Sequence, residues 1–147
     1  MSDTVGAILR YKGNHVWSVS PDDSVFQAVR LMADKGVGAL VVIADETLVG
    51  IISERDYARK VDLQGKSSKD TLVRDIMTSP VVSVSPNDTV DDCMRIVTTK
   101  RIRHLPVVQG EKVVGVVSIG DLVQRVMSTQ EETLQYLHEY IVGRSSV

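Results

Sequence analysis

Two seven-residue stretches share one skeleton: Gly50-Ile51-Ile52-Ser53-Glu54-Arg55-Asp56 and Gly115-Val116-Val117-Ser118-Ile119-Gly120-Asp121. In each, two β-branched residues lead to a Ser, and an Asp follows three residues later. That spacing has two uses. A Ser at a strand end caps the first turn of a helix while the acid reaches back, a variant of the capping box. The same groups can also hold a ligand. The first N–H groups of a helix are unpaired and the helix dipole is positive there, which favours an anion. An Asp one turn in can accept two hydrogen bonds from a vicinal diol such as a ribose. Asp56 and Asp121 are therefore the candidate diol acceptors. Ser53 and Ser118, with nearby N–H groups such as that of Gly120, are candidates for phosphate.

Cations near these stretches supply the opposite charge. Lys100-Arg101-Ile102-Arg103-His104-Leu105-Pro106 runs into an apolar strand pattern. Lys100 and Arg101 have the alternative of a solvated helix end, where cations are favoured. Arg103 and His104 lie at the strand mouth, where phosphate contact is expected. The equivalent place earlier in the chain has Gly36-Val37-Gly38-Ala39, which offers close backbone approach rather than charge. There the cations sit after the Ser, at Arg55 and Arg59, with surface pairing to Glu54 or Asp62 as the alternative.

The elements that must position these residues form an internal repeat. With the two Gly aligned, residues 19–60 fall on residues 84–125 with 14 identities over 42 ungapped positions. Upstream the offset grows by three residues, so that Val5, Ile8 and Leu9 match Val73, Ile76 and Met77. The first copy thus carries an insertion around residues 11–15. Each copy predicts an opening helix (4–10; 72–77), a brief strand (16–19; 81–84), an amphipathic helix capped at Ser24 or Thr89, a hairpin and a closing helix that starts at the Ser-x-x-Asp. The hairpin strands are expected at 39–43 with 48–52 and at 105–108 with 113–117. The fold class is α/β (α+β): two β-α-β-β-α repeats, residues 4–63 and 72–127, joined by a polar linker at 64–71. Neither half buries both faces of its own sheet, so the two are expected to pack about a pseudo-two-fold axis. A C-terminal helix is expected over 128–143, capped at Ser128 or Thr129 and stopped at Gly143. Leu134, Leu137 and Ile141, with Tyr140 beside them, give it an apolar stripe for this chain or a second subunit.

Composition narrows the function classes. The chain of 147 residues has a net charge of −2 and a pI near 5.9, so it presents no global basic field for DNA or anionic lipid. The N-terminus is too short and polar for a secretory signal, and no apolar run approaches the ~18 residues of a membrane span. A cytoplasmic setting is expected. The single Cys93 excludes an intrachain disulfide and reads as a small core residue. His15, His104 and His138 are scattered without metal-ligand spacing, and no Gly-x-Ser-x-Gly elbow is present. The paired acids Asp22-Asp23 and Asp91-Asp92 sit at helix starts, where capping explains them. Neither catalysis nor a metal is expected.

The repeat, its Gly-x-x-Ser-x-x-Asp ends, Asp75-Ile76-Met77-Thr78 and Arg103-His104-Leu105-Pro106-Val107 resemble a tandem pair of cystathionine-β-synthase (CBS) domains, a Bateman module. The resemblance covers residues 4–127. It implies a regulatory binder of AMP, ADP, ATP, S-adenosylmethionine or NAD(H), in which the motif's Asp holds the ribose and its Ser the phosphate. It also implies a homodimer and a regulated partner protein. By position, adenine would lie near Val16, Trp17 and Ser18 in one copy and Thr78, Val81 and Val82 in the other. Trp17 has the alternative of a core role. The copies differ at Glu54-Arg55 against Ile119-Gly120, so their sites are expected to be unequal, one admitting a larger ligand such as a dinucleotide.

Overall fold

A computed structural model describes residues 3–145, apart from the side chains of residue 140 and residues 142–145. In chain order the elements are α1 (Val5–Lys12), β1 (Ser18–Val19), α2 (Val25–Lys35), β2 (Ala39–Ala44), β3 (Thr47–Ser53), α3 (Glu54–Tyr57), α4 (Val73–Ile76), α5 (Val90–Lys100), β4 (His104–Gln109), β5 (Lys112–Ser118) and α6 (Ile119–Ser145). A wider turn over Ala58–Asp62 prolongs α3, its last bond running from the Leu63 N–H to the Ala58 carbonyl. The result is a mixed α+β molecule with two small sheets. No helix of the described residues is long and apolar enough to cross a membrane.

Local chemistry sets most boundaries. The Ser24 hydroxyl accepts the Gln27 N–H at 3.1 Å, and the Gln27 side chain accepts the Ser24 N–H at 2.8 Å, a reciprocal cap that starts α2. Thr89 caps α5 in the same way, accepting the Asp92 N–H. Such caps are worth about 1 kcal/mol each. The buried faces are Val25, Ala28 and Met32 on α2, and Val90, Cys93 and Val97 on α5. Burial raises the Cys93 thiol to about 11, with Asp88 and Asp92 adding to the effect, so the cysteine is a protonated core group at neutral pH. In the first hairpin Asp45 and Glu46 both take positive φ, 50° and 64°, giving the two-residue turn that matches strand twist.

The two opening helices exchange places. Val5, Ile8 and Leu9 of α1 pack in the core of the second copy, with Cys93, Leu105, Val117 and Leu122. Val73 and Ile76 of α4 pack in the core of the first copy, with Val25, Leu40 and Ile52. Matched backbone bonds hold both exchanges. The Val5 N–H donates to the Asp88 carbonyl and the Val73 N–H to the Asp23 carbonyl, each at 2.8 Å. The Val90 N–H donates to the Asp3 carbonyl and the Val25 N–H to the Thr71 carbonyl, again at 2.8 Å. These pairs express the pseudo-two-fold.

The exchange explains the first letter of the repeated motif. A Cβ on Gly50 would stand 2.5 Å from the Met77 sulfur, and a Cβ on Gly115 would stand 2.6 Å from Leu9 Cδ2. Leu9, within α1, and Met77, just past the end of α4, are matched residues of the repeat. Each Gly admits the other copy's opening helix against its strand.

Two sequence expectations are corrected. The strand expected over 81–84 reduces to a single bridge, Val84 with Val107, and the one over 16–19 to Ser18–Val19. In the first copy the Val41 N–H donates to the Trp17 carbonyl. The matching position in the second copy is Pro106, which has no N–H to give, so that ladder stops short. The closing helix of the second copy and the C-terminal helix are one element, α6. The Thr129 and Thr133 hydroxyls donate back to the Arg125 and Thr129 carbonyls instead of capping a new start, and Gly143 lies within the helix. Leu134, Leu137 and Ile141 are exposed on it. The Tyr140 side chain lies outside the described set.

Candidate functional site: two unequal clefts

Both Ser-x-x-Asp segments are helix caps. Ser53 accepts the Asp56 N–H at 3.2 Å, and Asp56 Oδ2 accepts the Ser53 N–H at 2.9 Å. Ser118 accepts the Asp121 N–H at 3.1 Å, and Asp121 Oδ2 accepts the Ser118 N–H at 2.8 Å. Each carboxylate is thereby fixed at the mouth of a cleft, which it lines together with its Ser. Capping and ligand binding are therefore compatible uses of the same residues.

Because the opening segments are exchanged, each cleft combines the Ser-x-x-Asp of one copy with the opening segment of the other. The first cleft has Ser53, Arg55, Asp56 and Arg59 on one side. Thr78 and Val82 from the opening segment of the second copy, with Arg103 just before β4 and His104 at its start, form the other. Thr78 is held there by reciprocal backbone bonds with Ile51, 2.8 and 3.1 Å. The second cleft has Ser118 and Asp121 on one side, and His15, Trp17 and the Gly36–Ala39 backbone of the first copy on the other. His104 borders both clefts.

Of the residues singled out in the sequence, Val16, Ser18, Val81 and Gly120 line neither cleft. Trp17 has both of the roles considered for it. It packs against the first core and also faces the second cleft, where the His15 ring stacks on it at 5.8 Å and the Lys35 ammonium lies 4.4 Å from its centroid. Two lysines that the sequence does not assign to a site join the clefts, as does Arg101, for which the sequence leaves open a phosphate contact or a solvated helix end. Lys60 lines the first, with its Nζ 3.1 Å from Asp56 Oδ1 and 2.9 Å from the Ile76 carbonyl. Arg101 lines it too. Lys12 lines the second. Signals existed for two of these: Lys60 stands four residues after Asp56, one helical turn, and Lys12 falls in the insertion that changes the repeat offset.

The clefts have volumes of about 220 and about 340 Å³ and differ in charge, the smaller being the more basic. Arg55, Arg59, Lys60, Arg101 and Arg103 line the first against a single carboxylate, Asp56. Crowding by Arg59 and then by Arg103 holds the Arg55 guanidinium below its ordinary range, the signature of unbalanced positive charge. The second cleft has Lys12, two histidines and Asp121, and no arginine. Burial, followed by the charge of Lys12, holds His104 below its ordinary value of 6.5; Asp121 opposes this and Arg103 adds to it.

The match to known proteins spans both copies. The profile of the CBS domain family matches residues 7–62 and 73–128. The mitochondrial CBS domain-containing protein CBSX3 of Arabidopsis thaliana is 42% identical over 152 aligned residues, covering 97% of this chain and 73% of that protein. A solved protein with CBS domains from Burkholderia ambifaria superposes with a TM-score of 0.82 at 48% identity, over 86% of this chain and 96% of that one. A CBS domain pair solved with 5′-methylthioadenosine and S-adenosylmethionine shares the fold, with a TM-score of 0.77 at 24% identity over 88% of this chain and 99% of that one. The two matched stretches coincide with the two copies of the repeat, and the chain belongs to the CBS domain family and carries two CBS domains in tandem.

Proposed function

We propose that the chain is a regulatory module that binds an adenosine phosphate in its first cleft. AMP is the foremost candidate, and ADP, ATP, NAD(H) and S-adenosylmethionine belong to the same class. The observation that carries this reading is the convergence of Ser53 and Asp56 with cations from both copies in one cleft. Asp56 takes the ribose diol. Arg55, Arg59 and Lys60 from the first copy, with Arg101, Arg103 and His104 from the second, take the phosphates. Thr78 and Val82 flank the base. A ligand gripped by both copies stabilises the arrangement that closes the cleft, and only by its differential affinity for that arrangement. The output passes to a partner protein or to the assembly state of a homodimer, without catalysis, DNA or membrane and in a cytoplasmic setting. Calorimetric titration of nucleotide-free protein with AMP, ATP, NAD, NADH and S-adenosylmethionine tests the reading; silence from all of them sinks it.

A ligand-independent dimerisation module is the alternative. Two observations favour it: the Ser-x-x-Asp caps are complete in themselves, and Leu134, Leu137 and Ile141 stand exposed on α6. Titration separates the two, because a scaffold stays dimeric and binds nothing.

The reading makes two further predictions. Arg101 takes a left-handed conformation, φ 55°, at the position where the first copy has Gly36, φ 65°. A non-glycine residue there costs about 1 kcal/mol or more. Arg101→Gly is therefore expected to raise stability in denaturant by about 1 kcal/mol while weakening the nucleotide, a split that melting and titration reveal. The second concerns His104. Its lowered value means that the folded state stays neutral while the unfolded imidazole protonates, so this group lowers stability as pH falls through 6.5. A bound phosphate raises His104 again and takes up a proton, so affinity rises as pH drops from about 7.5 to about 5.5. His104→Gln removes that part of the pH dependence. An unchanged pH profile in the variant excludes contact between His104 and the phosphate.

A further inference from the structure

In the second cleft one cation, Lys12, sits on the Asp of the repeated motif. α1 has eight residues and its counterpart α4 has four, so α1 runs one turn farther. Lys12 is the last residue of that extra turn, and Gly13, with φ 97°, turns the chain away immediately after it. The Lys12 ammonium donates to Asp121 Oδ2 at 2.6 Å and to the Val116 carbonyl at 2.9 Å. It therefore takes the oxygen that also accepts the Ser118 N–H, on the strand-to-helix corner where a diol would bind. Burial works to raise Asp121, but the bonds from Lys12 and Ser118 outweigh it and hold the carboxyl below its ordinary range.

Asp56 also has a lysine partner, but the two situations differ. Lys60 belongs to the same helical segment as Asp56 and lines a cleft with four arginines. A diol that displaces it leaves the ammonium among phosphates. The residue matching Lys60 in the second copy is Arg125, which turns instead to Asp3, at 2.5 Å. Lys12 comes to Asp121 from the other copy, and the remaining basic groups of its cleft are His15 and His104. A diol entering there must break two bonds of an ammonium without an arginine cluster to reward the exchange.

Resting on the nucleotide reading above, we infer that Lys12 is an internal occupant of the second diol site, so that each chain takes one adenosine phosphate, in the first cleft. The insertion in the first copy is then a selectivity device: it silences the diol acceptor of the second cleft. The test is calorimetric titration of the full chain with AMP. Wild type takes one AMP per chain, and Asp56→Asn weakens that site by up to about 100-fold. Lys12→Met takes two, and Lys12→Met with Asp121→Asn returns to one. Lys12→Gln, which keeps a polar side chain while losing the charge, also gains the second site, and thermal melts establish that each variant is folded. Two equal sites in the wild type overturn the inference while leaving the nucleotide reading intact. A folded Lys12→Met and Lys12→Gln pair that still takes one AMP overturns it as well. Absence of binding by AMP, ATP, NAD, NADH and S-adenosylmethionine in every protein overturns both.

Discussion

Asp56→Asn will lower affinity for the adenosine phosphate by up to about 100-fold, with little change in melting temperature. The amide can still accept the Ser53 N–H that Asp56 Oδ2 accepts at 2.9 Å, so the cap at the start of α3 survives. What it loses is the charge and one of the two equivalent oxygens. A hydrogen bond to a charged acceptor is worth about 1.5–3 kcal/mol, and losing one such bond to the diol, with the amide oxygen keeping the other, makes the loss up to about 100-fold. Asp56→Ala also removes the carboxylate half of the cap, leaving the Ser53 hydroxyl on the residue-56 N–H, and costs up to about 1 kcal/mol of stability in addition. Titration and melting of the two variants separate the roles. Equal, small losses of affinity in both, with a large loss of stability in the Ala variant, would make Asp56 a cap and nothing more.

Gly115→Ala will destabilise the fold by about 1–3 kcal/mol, although it adds one methyl group. The new Cβ would lie 2.6 Å from Leu9 Cδ2 and 3.0 Å from Leu9 Cδ1, and Leu9 is packed in the second core. For a chain of this size the expected fall in melting temperature is about 3–10 °C. The strain has one named partner, which makes it testable by a double-mutant cycle. Leu9→Ala should cost less in the Gly115→Ala background than in the wild type, with a coupling of about 1 kcal/mol or more. Purely additive effects would mean that Gly115 answers to the strand rather than to the exchanged helix. The matching Gly50 faces the more adaptable Met77 but also the Thr78 carbonyl, at 3.2 Å from the same Cβ position, which limits relief there.

These two residues show how far the sequence is legible. The Ser-x-x-Asp caps, the α2 and α5 helices, the hairpins and the two-copy packing follow from local rules: cap chemistry, periodicity and turn residues. Those rules act within a few residues, so they survive without a structure. The exchange of α1 and α4 is not local. It makes Gly115 a neighbour of Leu9 and joins each Asp to the opening segment of the other copy. Sequence reading placed Thr78 and Trp17 beside ligands by position but had no means of joining them to Asp56 and Asp121. Lys12 was hidden for the same reason, since its partner lies 109 residues away. The missing strand over 81–84 is a different kind of error. Pro106 was visible, and its lack of an N–H was enough to weaken the neighbouring strand.

The central claim is that one cleft binds one adenosine phosphate using both copies. It is tested most directly by titrating AMP into the wild type, Asp56→Asn and Arg103→Ala side by side in a calorimeter. The two substituted residues belong to different copies and face the same cleft. The account predicts a single class of site in the wild type, weakened by either substitution and increasingly so as salt is lowered for Arg103→Ala. A wild-type isotherm left unchanged by Arg103→Ala, or no heat of binding at all, would contradict it.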